Sequence, residues 1–267
     1  MAFHLKFYKG KTKKVDMETK PIWIEEIRVK ASETDFQQKW KPAYVLQAML
    51  EAAGNHAGYH GFGFFGMLDR DIAWVLSRLK IRFFDFPTID DPVIIQTWLK
   101  GIQQKIFFMR DFQLRRPDGR PLAAASYAWL MINLKTRRLL LPQSLDLNFP
   151  YIYDLVGLDE PLEKINPPDG LPERMTVEAG YSTIDVLGHV TSTRYVEWIS
   201  DCFNLDNFRS RKLEWLQVNF VNETKPGERL SIAAGPDAAS PATWLVQGTN
   251  LNTGLRSFEA ALGWSNS

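Results

Sequence analysis

The 267-residue chain holds a single cysteine, Cys202. No disulfide can form within it, which suits a reducing, cytoplasmic setting. Charge of one sign is also missing: 32 Lys and Arg stand against 31 Asp and Glu, a net charge of +1. So even a balance argues against a nucleic-acid partner recruited by global charge. No apolar run approaches the ~20 residues of a membrane span. The opening residues MAFHLKFYKGKTKK lack the apolar centre of a secretory signal. What remains is a chain long enough to bury a large core. It is rich in aromatics, with nine Trp and 17 Phe, as sheet faces and an apolar pocket require. Local charge does cluster, at Lys6, Lys9, Lys11, Lys13 and Lys14 and again at Arg209, Arg211 and Lys212.

Periodicity divides the chain. A strand is expected around Ile22, Ile24, Ile27 and Val29, with a break of phase at Glu25 and Glu26. The polar turn ASETDFQQKWKP follows. Pro42 suits the first turn of a helix that runs on to Tyr59. Its small residues Ala52, Ala53, Gly54 and Ala57 allow close approach to a sheet. His56 and His60, near its end, read as capping or surface residues. GYHGFGFFGMLDRD is too irregular for an element and too apolar for a plain linker, so it reads as a lid or pocket-lining loop. Four strands then follow up to residue 138, two of them joined by a Pro117-Asp118-Gly119-Arg120 hairpin turn. Residues 142–175 carry six prolines and no sustained period, and read as a linker packed across the surface.

The pattern then repeats as strand, turn, helix and four strands, with LNTGL as the second hairpin turn. Thr34-Asp35 precedes the first helix as Ile184-Asp185 precedes the second. LSRLKIRFFDFPTIDDP parallels LEWLQVNFVNETKPGE. An internal repeat of this size implies two copies of one α+β unit, each a long helix on an antiparallel sheet. The expected halves are 1–145 and 175–267, joined by 146–174.

The stretch YSTIDVLGHVTSTRYVEWISDCF concentrates the chemistry. Asp185 and His189 lie four residues apart, in the turn before a helix whose apolar face is Tyr195, Trp198, Ile199, Cys202 and Phe203. A helix N-terminus offers unpaired N–H donors that can hold an oxyanion. Cys202, on the apolar face, reads as a buried hydrophobe and not a nucleophile.

ASETDFQQKWKPAYVLQAMLEAAGNHA, IAWVLSRLKI and DVLGHVTSTRYVEW together resemble the acyl-carrier-protein thioesterases of bacteria and plant plastids, over residues 23–264. The resemblance implies a tandem hot-dog fold. It also implies hydrolysis of fatty acyl thioesters on acyl carrier protein in fatty acid biosynthesis, with no metal and no cofactor. The family pattern Asp-x-Asn-x-His-Val-Asn-Asn, with a later Glu, matches here at Asp185, His189 and Glu223. Leu187 stands where the family has Asn, and Thr191 and Ser192 stand where it has Asn-Asn. Lys39 takes the place of His189 in the first repeat, so one active site per chain is expected.

From that resemblance, Glu223 or Asp185 activates water, His189 orients it, and the N–H groups near Gly188 and Val190 hold the oxyanion. The acyl chain is expected in the first half, against Val45 and Met49, with Phe62 and Phe65 near the mouth. The acidic carrier is expected on Arg194, Arg209, Arg211 and Lys212. A homodimer of such chains is a further expectation. The departures at Leu187 and Thr191 leave a non-catalytic acyl-ligand sensor as the alternative, and a 3-hydroxyacyl thioester dehydratase as a third reading.

Overall fold

The computed structural model describes residues 19–145 and 149–266. The basic cluster from Lys6 to Lys14 lies outside the described residues. In the first half, strand β1 (Ile22–Arg28) leads through a polar loop to helix α1 (Pro42–Tyr59) and a short helix α2 (Phe64–Leu68). Strands β2 (Ile72–Phe83), β3 (Pro92–Gln103), β4 (Phe107–Arg115), β5 (Pro121–Asn133) and the two-residue β6 (Leu139–Leu140) follow. The second half runs β7 (Glu173–Glu178), α3 (Ser192–Asp201), α4 (Leu205–Ser210), β8 (Arg211–Phe220), β9 (Arg229–Pro236), β10 (Thr243–Asn250) and β11 (Arg256–Asn266).

All strands join one antiparallel sheet, in the order β1-β3-β4-β5-β2-β8-β11-β10-β9-β7, with β6 beside β5. The order reads as one half followed by its mirror, so a pseudo-twofold axis passes through the β2–β8 seam. The register agrees: Lys80 faces Gln217, its own counterpart in the repeat, and Arg78 and Arg82 face Asn219 and Trp215. Each half is one long helix held against its share of the sheet, and α1 packs on α3. This is the tandem hot-dog. The expected halves share a single sheet.

Alternation sorts the two faces of the seam. Leu79, Ile81 and Phe83 of β2 and Leu216 and Val218 of β8 are buried beneath the helices. Val45, Leu46, Met49 and Ala52 of α1 meet them there. Burying a side chain of this size contributes about 1.5–3 kcal/mol. The opposite face carries Arg78, Lys80 and Arg82, and the segment that links the halves lies across it. Arg78 donates to the Leu162 carbonyl at 3.0 Å, Lys80 pairs with Glu160 at 2.8 Å, and Gln217 donates to the Glu163 carbonyl at 2.6 Å. The proline-rich segment is therefore fixed to the sheet by polar contacts.

Two short helices go beyond the sequence reading. The glycine- and aromatic-rich loop contains α2, and the residues after α3 form α4, which starts with an Asn204–Asn207 capping box.

Candidate active site

The loop before α3 is tied by its own aspartate. Asp185 Oδ1 accepts from the Leu187 N–H at 2.8 Å and from the His189 N–H at 3.4 Å, while the Asp185 N–H donates to the His189 carbonyl at 2.8 Å. Gly188 sits at φ +83, the left-handed region that suits glycine. The first half repeats this loop without the chemistry. Asp35 Oδ1 accepts from Gln37 and Lys39 at 2.8 and 3.0 Å, and Gln38 takes the position of Gly188 at φ 64. One oxygen of Asp185 therefore does a structural job that its counterpart also does.

The loop delivers His189 to Glu223, with His189 Nε2 3.0 Å from Glu223 Oε2. Glu223 accepts a second bond from Arg137, which stands in the turn after β5 of the other half. A carboxylate only accepts, so the neutral imidazole carries its proton on Nε2 and leaves Nδ1 as the acceptor. The strand end beneath Glu223 is held by a buried chain. Tyr195 OH donates to Thr224 Oγ1 at 3.0 Å, which donates to Ser257 Oγ at 3.1 Å. Burial pushes the Tyr195 hydroxyl up to about 12, and the nearby Asp185 and Glu223 charges add to the shift. Tyr195 is thus a neutral donor at working pH.

The expected oxyanion donors are not free. The Gly188 N–H donates to the Asp185 carbonyl at 3.0 Å and the Val190 N–H to the Thr224 carbonyl at 3.0 Å. Both are needed to close the loop. Among the described residues the first-turn amides of Ser192 and Thr193 have no such acceptor, because a helix cannot satisfy its own first N–H groups.

An apolar cavity of about 210 Å³ counts among its walls Leu187, two residues before His189, and Leu134, three before Arg137, but neither His189 nor Glu223. It runs beneath the C-terminal half of α1, past Leu50, Ala53 and Ala57, and between Phe62, Trp74 and Phe108. Phe62 lines it as expected. Val45 and Met49 do not: both are fully buried in the packed core, where Met49 Sδ accepts from Tyr127 OH at 3.0 Å. Phe65 is 63% exposed and turned out of the cavity; Phe64 and Met67 of α2 line it instead. The helical period names the face of α1 that is buried, but the cavity sits one to two turns further along.

The cavity also has a polar end. His56 is buried, not a surface residue. Its Nε2 donates to the Lys20 carbonyl at 2.8 Å, and its Nδ1 accepts from Arg110 Nη1 at 3.0 Å. Burial, followed by the Arg110 charge, pulls the His56 pKa down to about 4, so this imidazole is neutral near pH 7. Desolvation in turn lowers Arg110 to about 9. Cys202 is partly buried and free, and burial pushes its thiol up to about 12, which makes it a poor nucleophile.

The basic residues expected to meet the carrier are not gathered at Glu223. Arg194, Arg211 and Lys212 line a second cavity, bounded by the loop before α1 and the C-terminal end of α3. Arg209 lies over the Phe36 ring at that same end, 5.2 Å from its centroid. Arg137, by contrast, carried no signal in its own sequence neighbourhood; only the through-space contact with Glu223 singles it out.

The family model of the acyl-ACP thioesterase N-terminal domain matches residues 20–141, and that of the C-terminal domain matches residues 170–265. A chloroplastic acyl-[acyl-carrier-protein] hydrolase of Cuphea viscosissima is 29% identical over 194 residues, 67% of this chain and 46% of that protein. A chloroplastic palmitoyl-acyl carrier protein thioesterase of Arabidopsis thaliana is 28% identical over 192 residues, with the same coverage. The chain thus spans a little under half the length of these curated relatives. An acyl-ACP thioesterase structure from Bacteroides thetaiotaomicron superimposes with a TM-score of 0.82 at 26% identity, covering 92% of this chain and 98% of that one. The 12:0-ACP thioesterase of Umbellularia californica shares the fold, with a TM-score of 0.74 at 21% identity over 94% of this chain and all of that one.

Proposed function

The chain belongs to the acyl-ACP thioesterase family, and we propose that it hydrolyses fatty acyl thioesters of acyl carrier protein to a free fatty acid and the carrier's thiol. One observation carries the reading: His189 and Glu223 pair at 3.0 Å, and Leu187, in the same loop as His189, lines an apolar cavity. A catalytic pair without a cavity would not select an acyl chain, and a cavity without the pair would only bind one.

Glu223, itself held by Arg137, keeps the imidazole proton on Nε2. His189 Nδ1 then takes a proton from water as the water oxygen attacks the thioester carbon. The oxyanion is held at the start of α3 by the Ser192 and Thr193 amides, each such donor contributing roughly 3–4 kcal/mol to the transition state. Collapse breaks the carbon–sulfur bond, and the imidazolium returns its proton to the leaving thiolate. A thiolate leaves readily, so no metal is called for. Asp185 holds the loop and is not the base in this scheme. Leu187, in place of the family's Asn, contributes apolar wall to the acyl cavity.

The carrier is acidic, and we assign its docking to the basic turn at residues 135–138, because Arg137 of that turn bonds Glu223 and Arg138 is exposed beside it. Among the described residues no helix is long and apolar enough to cross a membrane. The free thiol of Cys202 suits a reducing, cytoplasmic setting.

The test is thiol release from acyl-ACP substrates of C8 to C18 beside the matching acyl-CoA thioesters, with wild type and His189→Ala. The expected result is turnover on the carrier-bound set that falls by roughly 10²–10⁴ in the variant. Full turnover in His189→Ala would sink the mechanism. No turnover on any carrier-bound chain would sink the activity.

A further inference from the structure

The pseudo-twofold axis gives the active site a twin. The cavity beneath the end of α1 is closed by the loop before α3; a second cavity, beneath the end of α3, is closed by the loop before α1. The short helices match as well, with α2 against the first cavity and α4 against the second. The backbone match is close. Val190 N–H donates to the Thr224 carbonyl at 3.0 Å, and its counterpart Trp40 N–H donates to the Pro87 carbonyl at 2.9 Å. That pairing fixes Lys39 as the counterpart of His189 and Phe86 as the counterpart of Glu223. Both Lys39 and Phe86 line the second cavity.

The twin has been changed in a particular direction. Its volume is about 440 Å³, twice that of the first and within the range of ligand pockets. The two groups that would activate water are a cation and a phenyl ring. Trp40, Phe203 and Phe208 supply apolar wall. Arg211 and Lys212 join Lys39 at the cavity; Lys212 donates to the Phe84 carbonyl, and among the described residues none of the three forms a salt bridge with a carboxylate. The carboxylates that share the cavity are otherwise engaged or burdened. Asp35 accepts two loop amides, Glu197 pairs with Arg194, and burial raises the pKa of Asp201. A cavity with apolar wall, cations free of carboxylate partners and no counterpart of the His189–Glu223 pair suits binding of an amphipathic anion.

We propose that this second cavity is a binding site for a long-chain carboxylate. Its head group would rest against Lys39, where the twin site holds the thioester carbon, and its chain against Trp40 and Phe208. The position along the cavity selects a carboxylate, because the atom bonded to the chain end is then a carbonyl carbon in both sites. Binding needs no turnover, so this inference stands apart from the proposed hydrolysis.

The experiment is a titration of the protein with dodecanoate labelled with ¹³C at the carboxyl carbon, read by NMR, for wild type, Lys39→Glu and Ser200→Phe. Ser200 lines the cavity but carries no charge, so its substitution narrows the space alone. The expected result is a bound carboxylate resonance that Lys39→Glu weakens by roughly tenfold or more and that Ser200→Phe removes. Any second bound resonance, from the other cavity, persists in both variants and reports that they are folded. Wild type without a bound resonance, or with none that responds to either substitution, overturns the proposal. Displacement of the responsive resonance by equimolar methyl dodecanoate also overturns it, since the site would then be reading the chain and not the carboxylate.

Discussion

Arg137 donates to Glu223 across the boundary between the repeats, so the carboxylate paired with His189 is held by a residue of the other half. The reach is set locally. Asn133 Oδ1 accepts from the Lys135 and Thr136 amides at 3.1 and 2.8 Å, the Arg137 N–H returns to the Asn133 carbonyl at 2.8 Å, and Arg137 sits at φ 58. The twin site cannot copy this, because the counterpart of Glu223 there is Phe86.

Arg137→Gln is therefore expected to lower kcat by about 10- to 100-fold, the value of a charge-assisted hydrogen bond of about 1.5–3 kcal/mol. Arg137→Lys should restore part of it. Because Arg137 acts through Glu223 and His189, the acid limb of the kcat/KM profile should move as well. A drop in kcat with an unmoved profile and no rescue by Lys would reduce the residue to a structural prop.

Asp185 and Asp35 tie equivalent loops, so their alanine variants should cost similar stability, about 1–2 kcal/mol each by urea melts. Asp185→Asn keeps an oxygen for the same amides. It should fold like wild type and retain turnover to within about tenfold, while His189→Asn falls by roughly 10²–10⁴. An Asp185→Asn protein of native stability that is as slow as the histidine variant would return the Asp185 charge to the chemistry.

His56 ties stability to pH. Its folded pKa, about 4, lies below the unfolded value of 6.5, so between those limits the unfolded chain binds the extra proton. Stability falls as pH drops from about 6.5 to 4, by at most about 3 kcal/mol from this group. The groups around it, Arg110, His60 and the Lys20 carbonyl, include no carboxylate to offset the charge. Urea midpoints at pH 7, 5.5 and 4.5 should show a shallower decline in His56→Gln than in wild type. Parallel declines would mean that the histidine is free to protonate.

Cys202 should react slowly with a disulfide reagent at pH 8 in the folded protein and quickly in denaturant, since burial has raised its pKa to about 12. Cys202→Ala should keep its turnover. Rapid modification of the native thiol with parallel loss of activity would reopen a thiolate mechanism.

Much of this molecule can be read from strings. The repeat is written in LSRLKIRFFDFP and LEWLQVNFVNET, and the strands of the seam follow from a period of two. The hairpins follow from their glycines, at φ +88 for Gly119 and φ +72 for Gly254. Asp185, His189 and Glu223 stand out by resemblance, and the last two meet. What escapes the string is distance through space. Helices of five and six residues, α2 and α4, are too short to show a period. Burial of His56 depends on Arg110 and Lys20, far away in sequence. The basic residues near α3 are grouped in sequence, yet the fold turns them toward the other cavity.

String and fold part at the apolar cavity. Val45 and Met49 lie on the correct face of α1, but the open space lies under Ala53 and Ala57, where small side chains leave room. Ala53→Leu should put three carbons into that space. Chains long enough to need it lose apolar burial of about 0.8 kcal/mol for each methylene excluded, roughly fourfold in kcat/KM per carbon. The preferred substrate should shorten by two to three carbons, on the order of the volume added. Phe65→Ala, on the outer side of α2, should leave the profile where it was. If Phe65 shifts the chain-length profile and Ala53 does not, the chain lies outside α2, and the cavity beneath α1 is not the acyl site.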